Sequence, residues 1–315
     1  AEPVIAAVDR LTELGRVEHS TIAGIAAVYL PEYYEAETAI AARIRAMAQY
    51  PPAPLPDAER VLQGIEAIAG ITYAERQRDA IRMAAERRIM ILTGGPGTGK
   101  TTVLSGILTL FSKLGRKTLL AAPTGRAAKR LSELTGRDAA TVHRLLEAQV
   151  SPENGEMFFA RNEDEPLECD AVIVDEMSMV DVLLMHSLLE ALPQEACLVL
   201  VGDPDQLPSV GAGNLFSDLI RSGIVPSVCL TEIFRQARQS LIVMNAHAVN
   251  RGELPVLTAK DRDCFFLRRR APAQLVQTVC ELCARRLPQT SGPFFSLVPA
   301  TVAPALMYTL LSNLM

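Results

Sequence analysis

The strongest chemical signal in the sequence is Gly94-Gly95-Pro96-Gly97-Thr98-Gly99-Lys100-Thr101, a glycine-rich segment that ends in a lysine and a hydroxyl residue. Glycines let backbone N–H groups converge on phosphate oxygens, and a helix starting at the loop adds the positive end of its dipole. Lys100 would neutralise the β and γ phosphates of a nucleotide, and the Thr101 hydroxyl could ligate Mg²⁺. The segment predicts a nucleoside triphosphate site, and a glycine-rich turn without a ligand is the alternative.

A pair of carboxylates follows an apolar run further along the chain. Asp175 and Glu176 come directly after residues 171–174, which read as a buried strand. Open α/β sheets bind ligands at the carboxyl ends of their strands. Asp175 would then belong to the Mg²⁺ shell, and Glu176 would polarise the attacking water. The alternative is that the pair only caps the helix that follows.

Two neutral amides are further candidates. Gln206 lies in a turn after the apolar run 197–201, where it could hydrogen-bond water and a γ-phosphate together. The alternative is an ordinary turn, for which Asp203-Pro204-Asp205 is typical. Gln77 lies in a predicted helix whose capping box we place at Thr72 and Glu75. This leaves Gln77 free to read the N6 and N7 edge of adenine.

The elements that must position these groups follow from hydrophobic periodicity. Short apolar runs alternate with helical segments after residue 72, and the runs predict strands at residues 89–93, 118–122, 171–174, 197–201 and 228–230. Alternating buried strands and helices predict a parallel sheet covered on both faces. The fold class is therefore α/β.

The first 71 residues have a different pattern. Residues 1–50 are rich in alanine, with Val8, Leu11 and Leu14 at helical spacing, and they predict a small N-terminal helical domain. The proline tract at 51–56 cannot continue a helix, so we assign residues 51–71 to a Pro-rich linker.

Composition and charge narrow the class of protein. With 315 residues, 49% apolar and 21% charged, the chain is neither disordered nor collagen-like, and six cysteines suit a reducing cytosol. The net charge of -5 hides an asymmetry, because residues 1–72 hold ten acidic and five basic residues. Residues 113–144 hold eight basic and two acidic residues, which indicates a basic patch for a polyanion. A solvated helix face is the alternative, because Arg126, Lys129 and Arg130 share helical spacing.

The ordered motifs resemble the superfamily 1 DNA helicases, and within them the RecD-like group (exodeoxyribonuclease V alpha-subunit type). The resemblance covers about residues 60–287 and rests on segments 72–81, 94–102, 122–128, 141–146, 174–181, 202–211 and 230–236. It implies a P-loop NTPase with a RecA-like parallel sheet, preceded by the helical domain and followed by a partial second RecA-like domain.

The resemblance also implies residue roles. The ATP-binding residues would be Gln77, Gly95, Pro96, Gly97, Thr98, Gly99, Lys100, Thr101 and Thr102. Mg²⁺ would be held by Thr101 and Asp175, and the catalytic groups would be Lys100, Glu176, Gln206 and Arg235. The single DNA strand would be contacted by Thr124, Gly125, Arg126 and His143, although His143 could equally be a structural histidine.

Domain organisation follows the same resemblance. The RecA-like ATPase domain would span residues 72–238, with a small hairpin insert at 151–170 that acts as a strand-separating pin and carries Phe158 and Phe159. The second RecA-like domain would start at 239–287, and residues 288–315 would form an atypical uncharged tail. Cys280 and Cys283 resemble half of a zinc site, but helical spacing favours a structural role.

The implied function is an ATP-dependent DNA helicase that translocates 5′ to 3′ on single-stranded DNA in recombination and repair. Expected partners are single-stranded DNA and single-strand/double-strand junctions in the cytoplasm, with no membrane and with unidentified complex subunits. A non-motor P-loop ATPase that switches DNA or protein binding is the alternative. A membrane-tethered ATPase is another, because the tail is apolar.

Both ends of the chain lead to a further expectation. The chain begins at Ala1 without a signal peptide, and residues 287–315 carry no charge. We expect a chain truncated at both ends, whose tail arises from a change of reading frame. Such a fragment would bind ATP but would be impaired as a motor.

Overall fold

The computed structural model describes residues 2–22, 24–153, 155–232, 239–259, 263–264, 266–269 and 271–286. The chain divides into two compact units, Ala1–Leu254 and Pro255–Met315. Arg235 and the tail at 288–315 lie outside the described residues. Within the described part, no helix is both long enough and apolar enough to cross a membrane.

The first unit contains ten described strands and most of the helices. The strands are β1 (Glu18–Ile22), β2 (Ile25–Tyr29), β3 (Ile89–Gly94), β4 (Thr118–Ala122), β5 (Ala139–Thr141), β6 (Ala148–Val150), β7 (Met157–Phe159), β8 (Ala171–Val174), β9 (Cys197–Gly202) and β10 (Ser227–Leu230). The helices are α1 (Glu2–Glu13), α2 (Pro31–Gln49), α3 (Ala58–Ala69), α4 (Glu75–Glu86), α5 (Lys100–Lys113), α6 (Gly125–Thr135), α7 (Val142–Leu145), α8 (Val182–Ala191), α9 (Leu215–Ser222) and α10 (Leu241–Asn250).

A six-stranded parallel sheet forms the centre of this unit, in the order β10-β3-β9-β8-β4-β5. The strands predicted from apolar runs are confirmed, and β5 is an additional edge strand that is too short to give a pattern. Every residue of β3, β8 and β9 is buried, as expected for strands covered on both faces. The predicted α/β fold class is confirmed.

Alternate residues of the sheet feed two hydrophobic cores. On β3, Ile89 and Ile91 pack into one core, whereas Met90 and Leu92 pack into the other. The first core takes buried residues from α2, α7, α8 and α9, and the second takes them from α3, α4, α5 and α6. The two-residue period of a strand therefore divides the helices into two layers.

The N-terminal segment differs from the sequence prediction. Between α1 and α2 lies an antiparallel hairpin, β1–β2, which an alanine-rich helical pattern does not indicate. Helix α2 shares the core of the sheet, because Ile40, Ile44 and Met47 are buried there. Residues 58–69 form α3 and are not linker, since Leu62 and Ile65 give them a buried face against α5.

Helices α4 and α5 approach each other closely at Gly106. A Cβ atom at this position would lie 2.6 Å from Ile81 Cδ1 and 2.8 Å from Tyr73 Oη. A larger residue at this position would therefore require the Ile81 and Tyr73 side chains to move. The two helices thus form one packed body.

A small hairpin, β6–β7, lies between α7 and β8. Its first strand begins at Ala148, three residues before the insert predicted at 151–170. Phe158 is 46% exposed, while Phe159 is partly buried against the first core.

In the second unit, the helix described is α11 (Pro272–Arg286). Cys280 and Cys283 both lie on it, with Cys280 exposed. No cluster of metal-ligating side chains occurs among the described residues, so nothing in this part of the chain supports a zinc site.

Candidate functional site

The glycine-rich segment forms a loop between a buried strand and a helix. Strand β3 ends at Gly94, and α5 begins at Lys100. Gly97 and Gly99 have φ angles of 74° and 86°, a region in which residues with a Cβ atom are strained. The strand, loop and helix therefore occur in the order that a phosphate-binding loop requires.

The side chains of the loop contact its own backbone. The Lys100 ammonium donates hydrogen bonds to the carbonyl oxygens of Gly94 and Gly95, the second at 3.2 Å. The Thr98 hydroxyl, in a side chain that is only 2% exposed, donates to the Gly95 oxygen at 2.8 Å. Thr101 is exposed and Thr102 is half-buried at the start of α5. Among the described residues, the hydrogen-bond partners of Lys100 are backbone carbonyls and include no carboxylate, so its charge is available to a bound anion.

Asp175 and Glu176 follow β8 at the same carboxyl edge of the sheet. The Asp175 N–H donates to the Ala121 oxygen at 2.9 Å, which continues the pairing of β8 with β4. Asp175 Oδ1 accepts a hydrogen bond from the Glu176 N–H at 2.9 Å. Helix α8 is capped by Asp181, whose Oδ1 accepts from the Leu184 N–H. The alternative that the acid pair caps this helix is therefore wrong.

Burial makes both carboxyl groups weaker acids than usual. It raises the pKa of Asp175, whereas the charges of Lys100 and Arg130 lower it. Burial also raises the pKa of Glu176, and the charges of Asp175 and Asp203 raise it further against the opposing effect of Lys100. Perturbed carboxyl pKa values are concentrated at functional sites, which makes this pair a candidate.

The backbone of Glu176 is also unusual. Its φ angle is 53°, in the left-handed region that residues other than glycine rarely adopt. Strain of this kind persists only where the surroundings impose it, and it concentrates at functional sites. Glu176 lies in the turn between β8 and the short 3₁₀ helix Met177–Met179.

The Gln206 turn follows β9, the strand between β3 and β8. Asp203 is 3% exposed, and its carboxylate accepts hydrogen bonds from the Asp205 N–H at 3.1 Å and from Gln206 Nε2 at 3.5 Å. Asp203 thus organises the turn, and the exposed Gln206 side chain is held beside it. The register of β9 with β3 and β8 brings this turn to the same edge as the other two segments.

Gln77 lies in the first turn of α4, but its environment differs from the sequence prediction. The helix begins at Glu75, so the capping box predicted at Thr72 and Glu75 is absent. Instead, Gln77 Oε1 accepts a hydrogen bond from the Ala74 N–H at 3.1 Å. The side chain is 3% exposed, and Nε2 has no partner among the described residues. The amide NH₂ group of Gln77 is thus left as a donor for a ligand such as the N7 atom of adenine.

The residues predicted to contact DNA lie after β4 and β5. The Thr124 hydroxyl accepts a hydrogen bond from the Ala127 N–H at 3.2 Å and so caps α6, which begins at Gly125. Arg126 is exposed on the first turn of this helix. The His143 ring lies 5.9 Å from that of Phe159 on the hairpin, centroid to centroid. Both segments extend from the carboxyl edge of the sheet.

Sequence reasoning missed three side chains around this edge. Arg130 is close enough to lower the pKa values of Asp175 and Glu176. His247 and Asn250 come from α10 and contact the phosphate-binding loop and the Gln206 turn. The basic run contained a signal for Arg130, but nothing local in the sequence links α10 to either loop.

Comparisons with known proteins agree with this geometry. The family model described as an AAA domain matches residues 77–212. The chain is 39% identical over 258 residues to the ATP-dependent RecD2 DNA helicase of Deinococcus radiodurans, a match that covers 79% of this chain and 35% of that protein. It is 32% identical over 290 residues to the RecBCD enzyme subunit RecD of Mycobacterium tuberculosis H37Rv, covering 82% of this chain and 48% of that protein.

Among solved structures the likeness is weaker. The Pif1 helicase from Candida albicans is 22% identical, with a TM-score of 0.46, and the match covers 70% of this chain and 56% of that chain. This chain spans 35% of the length of the RecD2 helicase and 48% of the length of the RecBCD enzyme subunit RecD. Sequence identity of this extent over most of the chain means that it belongs to the RecD-like superfamily 1 helicases.

Proposed function

We propose that this chain carries the ATP-binding motor part of a DNA helicase that acts in recombination and repair. The observation that carries the proposal is the meeting of three segments at one sheet edge. These are the loop with Lys100, the acid pair Asp175 and Glu176, and the Gln206 turn. The names of the RecD relatives support DNA as the substrate.

In the proposed site, the N–H groups of the loop and the Lys100 ammonium bind the β and γ phosphates. Lys100 exchanges its carbonyl partners for phosphate oxygens, which are better acceptors because they are charged. Gln77 Nε2 binds the adenine edge, since this amide is buried and lacks a partner. One end of ATP would thereby meet a lysine that exchanges its partners, and the other would meet an amide that has no partner among the described residues.

The residues present also fit Mg²⁺. Thr101 presents an exposed hydroxyl, and Asp175 presents a carboxylate whose raised pKa a cation would lower. A P-loop cation needs few protein ligands, because phosphates and water supply the others, which agrees with the absence of a ligand cluster in the described part. When bound, Mg²⁺ supplies charge neutralisation on the β and γ phosphates.

Hydrolysis is assigned to Glu176 and Gln206. Glu176 in its ionised form accepts a proton from the attacking water, and binding of a cation nearby favours that form. Gln206 hydrogen-bonds the water and the γ-phosphate. Arg235, outside the described residues, is proposed to contact the γ-phosphate.

Single-stranded DNA is proposed to run along the ends of β4 and β5. Arg126 supplies positive charge, backbone N–H groups at Gly125 face phosphates, and Thr124 positions the turn as a cap. His143 lies beside this path. By family resemblance, the direction of translocation is 5′ to 3′ and junctions are substrates. The cytoplasm is the proposed compartment.

For the 315-residue polypeptide alone, we propose ATP binding with slow hydrolysis. Helicases of this family close two RecA-like domains on the nucleotide, and the second domain supplies an arginine to the transition state. Loss of such an arginine lowers the hydrolysis rate by roughly 10³ to 10⁵. Residues 239–287 are proposed to form only the start of such a second domain.

The proposal is tested by nucleotide binding and ATP hydrolysis of the wild-type chain and Lys100→Ala, with and without single-stranded DNA. We expect Lys100→Ala to weaken nucleotide binding about 100-fold, since a hydrogen bond to a charged group contributes ~1.5–3 kcal/mol. Lys113→Ala is the matched control, because this exposed lysine lies at the other end of α5.

The outcomes separate the candidate functions. Equal binding by wild type and Lys100→Ala would remove the nucleotide site from the proposal. Fast DNA-stimulated turnover by the 315-residue chain would contradict slow hydrolysis. If ATP changed DNA affinity but a longer protein containing this chain displaced no strand, the non-motor switch would replace the helicase.

A further inference from the structure

Helix α10 contacts the phosphate-binding loop through His247. The ring nitrogen Nε2 lies 2.9 Å from the Pro96 oxygen. A carbonyl oxygen only accepts hydrogen bonds, so Nε2 carries the hydrogen and donates it. The ring also covers Gly95, because a Cβ atom there would lie 2.6 Å from His247 Cε1. His247 of α10 therefore contacts the phosphate-binding loop, although it has no role in the proposed hydrolysis mechanism.

The same helix contacts the Gln206 turn. Asn250 Nδ2 donates to Asp205 Oδ2 at 2.6 Å, and the Asp205 N–H donates to the Asp203 carboxylate. Residues three apart lie on one face of a helix, so His247 and Asn250 face the two loops together. One helix thus joins the two segments that would bind the phosphates.

Helix α10 begins with a side-chain cap and buries one polar residue. The Ser240 hydroxyl caps it by accepting a hydrogen bond from the Val243 N–H at 3.2 Å, and Asn245 is only 8% exposed. A movement of the helix would therefore shift the His247 and Asn250 contacts at the same time.

We propose that His247 and Asn250 are positioning residues, through which α10 holds the loop and the Gln206 turn in the arrangement that binds phosphate. The Pro96 oxygen and the Gly97 N–H belong to one planar peptide and point in opposite directions. A hydrogen bond to this oxygen therefore orients the Gly97 N–H away from His247. The inference rests on the proposed nucleotide site.

The two residues have separable effects. His247 acts on the loop, which would bind phosphates of both ADP and ATP. Asn250 acts on the turn that carries Gln206, and Gln206 meets only the γ-phosphate in the proposed mechanism. Loss of Asn250 should therefore affect triphosphate binding selectively, which a general loss of stability would not do.

The test titrates the 315-residue chain with a fluorescent ADP analogue and then competes it with a non-hydrolysable ATP analogue. We expect His247→Ala to weaken both nucleotides about 3- to 10-fold, the range for one hydrogen bond. His247→Gln, which keeps a donor, should stay within about twofold of wild type. Asn250→Ala should weaken only the ATP analogue, again about 3- to 10-fold.

Val249→Ala is the matched control, because Val249 lies on the same helix and is 57% exposed. It should leave both affinities within about twofold of wild type. A loss equal to that of His247→Ala would show that any change in α10 has this effect, and it would overturn the proposal.

A double-mutant cycle tests the contact itself. The Gly95 backbone is outside the left-handed region, and the three atoms nearest to an added Cβ all belong to the His247 ring. We expect Gly95→Ala to weaken binding in the wild-type background and to have little further effect in His247→Ala.

The results distinguish this inference from the proposed function. If wild type binds neither nucleotide, the proposed function fails and the inference fails with it. If wild type binds but His247→Ala binds equally well, the inference alone is overturned. An equal effect of Gly95→Ala in both backgrounds would also overturn it, and equal losses of both nucleotides in Asn250→Ala would overturn the role of Asn250.

Discussion

The two edges of the central sheet treat charge in opposite ways. At the amino edge, Arg88 precedes β3, donates to the Gln194 oxygen at 2.8 Å, pairs with Glu195 and lies 3.8 Å above the centre of the Tyr50 ring. At the carboxyl edge, burial and the charge of Asp175 raise the pKa of Glu176, whereas Lys100 and Arg130 lower the pKa values of both carboxyl groups.

Lysines show the same contrast. At the amino edge, Lys117 pairs with Glu168 at 3.3 Å, and its backbone N–H donates to the Asp170 carboxylate at 2.6 Å. At the carboxyl edge, the hydrogen bonds that Lys100 makes within the described part of the chain go to backbone carbonyls. The basic side chains at the amino edge are therefore paired within the protein, and the groups at the carboxyl edge are those that we propose bind a nucleotide and a cation.

The largest expected effect follows from removing the proposed base. Glu176→Gln should lower ATP hydrolysis about 10²- to 10⁴-fold, the usual contribution of a positioned base, while nucleotide binding persists. Single-turnover conversion of labelled ATP, with protein in excess, measures this even when turnover is slow. Glu195→Gln at the amino edge is the control. Unchanged hydrolysis in Glu176→Gln would remove the functional difference between the edges.

At the amino edge, the effect should fall on stability. Arg88→Ala removes a charge-assisted hydrogen bond and the contact with Tyr50, so the free energy of unfolding should fall by about 2 kcal/mol. Urea denaturation measures this change. Arg82→Ala, which breaks an exposed pair with Asp79, should cost no more than about 0.5 kcal/mol. Nucleotide affinity should be unchanged in both variants. A loss of nucleotide affinity in Arg88→Ala would contradict the assignment of nucleotide binding to the carboxyl edge alone.

DNA binding should also separate the edges. Arg126→Ala should weaken single-stranded DNA about 3- to 10-fold and should reduce the slope of log affinity against log salt by ~0.7, because one phosphate contact is lost. Fluorescence anisotropy at several salt concentrations measures both quantities. Lys117→Ala, at the opposite edge, should leave the slope unchanged. The same change of slope in both variants would place DNA elsewhere on the molecule.

The smallest effect is a gain in stability. Burial raises the folded-state pKa of Asp175, so its contribution to stability is full below the unfolded pKa and is lost as the pH rises through the folded pKa. Asp175→Asn should therefore raise the free energy of unfolding at pH 7 by about 1 kcal/mol, and the melting temperature by roughly 2–4 °C. The gain should vanish below about pH 4. Thermal melts at both pH values measure this gain. A lower melting temperature of Asp175→Asn than of wild type at pH 7 would contradict the prediction.

Local patterns predicted the sheet well. The strands β3, β8 and β9 contain long apolar runs because both of their faces are buried. The hairpin β1–β2 was missed because its alanines suit a helix equally well. Helix α3 was missed because the preceding prolines suggested a linker, although Leu62 and Ile65 have helical spacing.

The site was predicted where one segment supplies both the geometry and the chemistry. Lys100, Asp175 and Gln206 all follow predicted strands, so parallel pairing brings their segments to one edge. The contacts of His247 and Asn250 depend instead on where a later helix packs, which no local spacing encodes. Their roles, and those of the other site residues, remain predictions for the experiments above.

The close crossing of α4 and α5 at Gly106 has a consequence for ligand choice. Helix α4 carries Gln77, and α5 begins at Lys100, so this crossing sets the span between the two groups proposed to bind the ends of ATP. A free pyrophosphate can reach only one of them, and a nucleoside only the other. In the proposed site, the packing of α4 against α5 at Gly106 would therefore select ligands long enough to reach both Gln77 and Lys100.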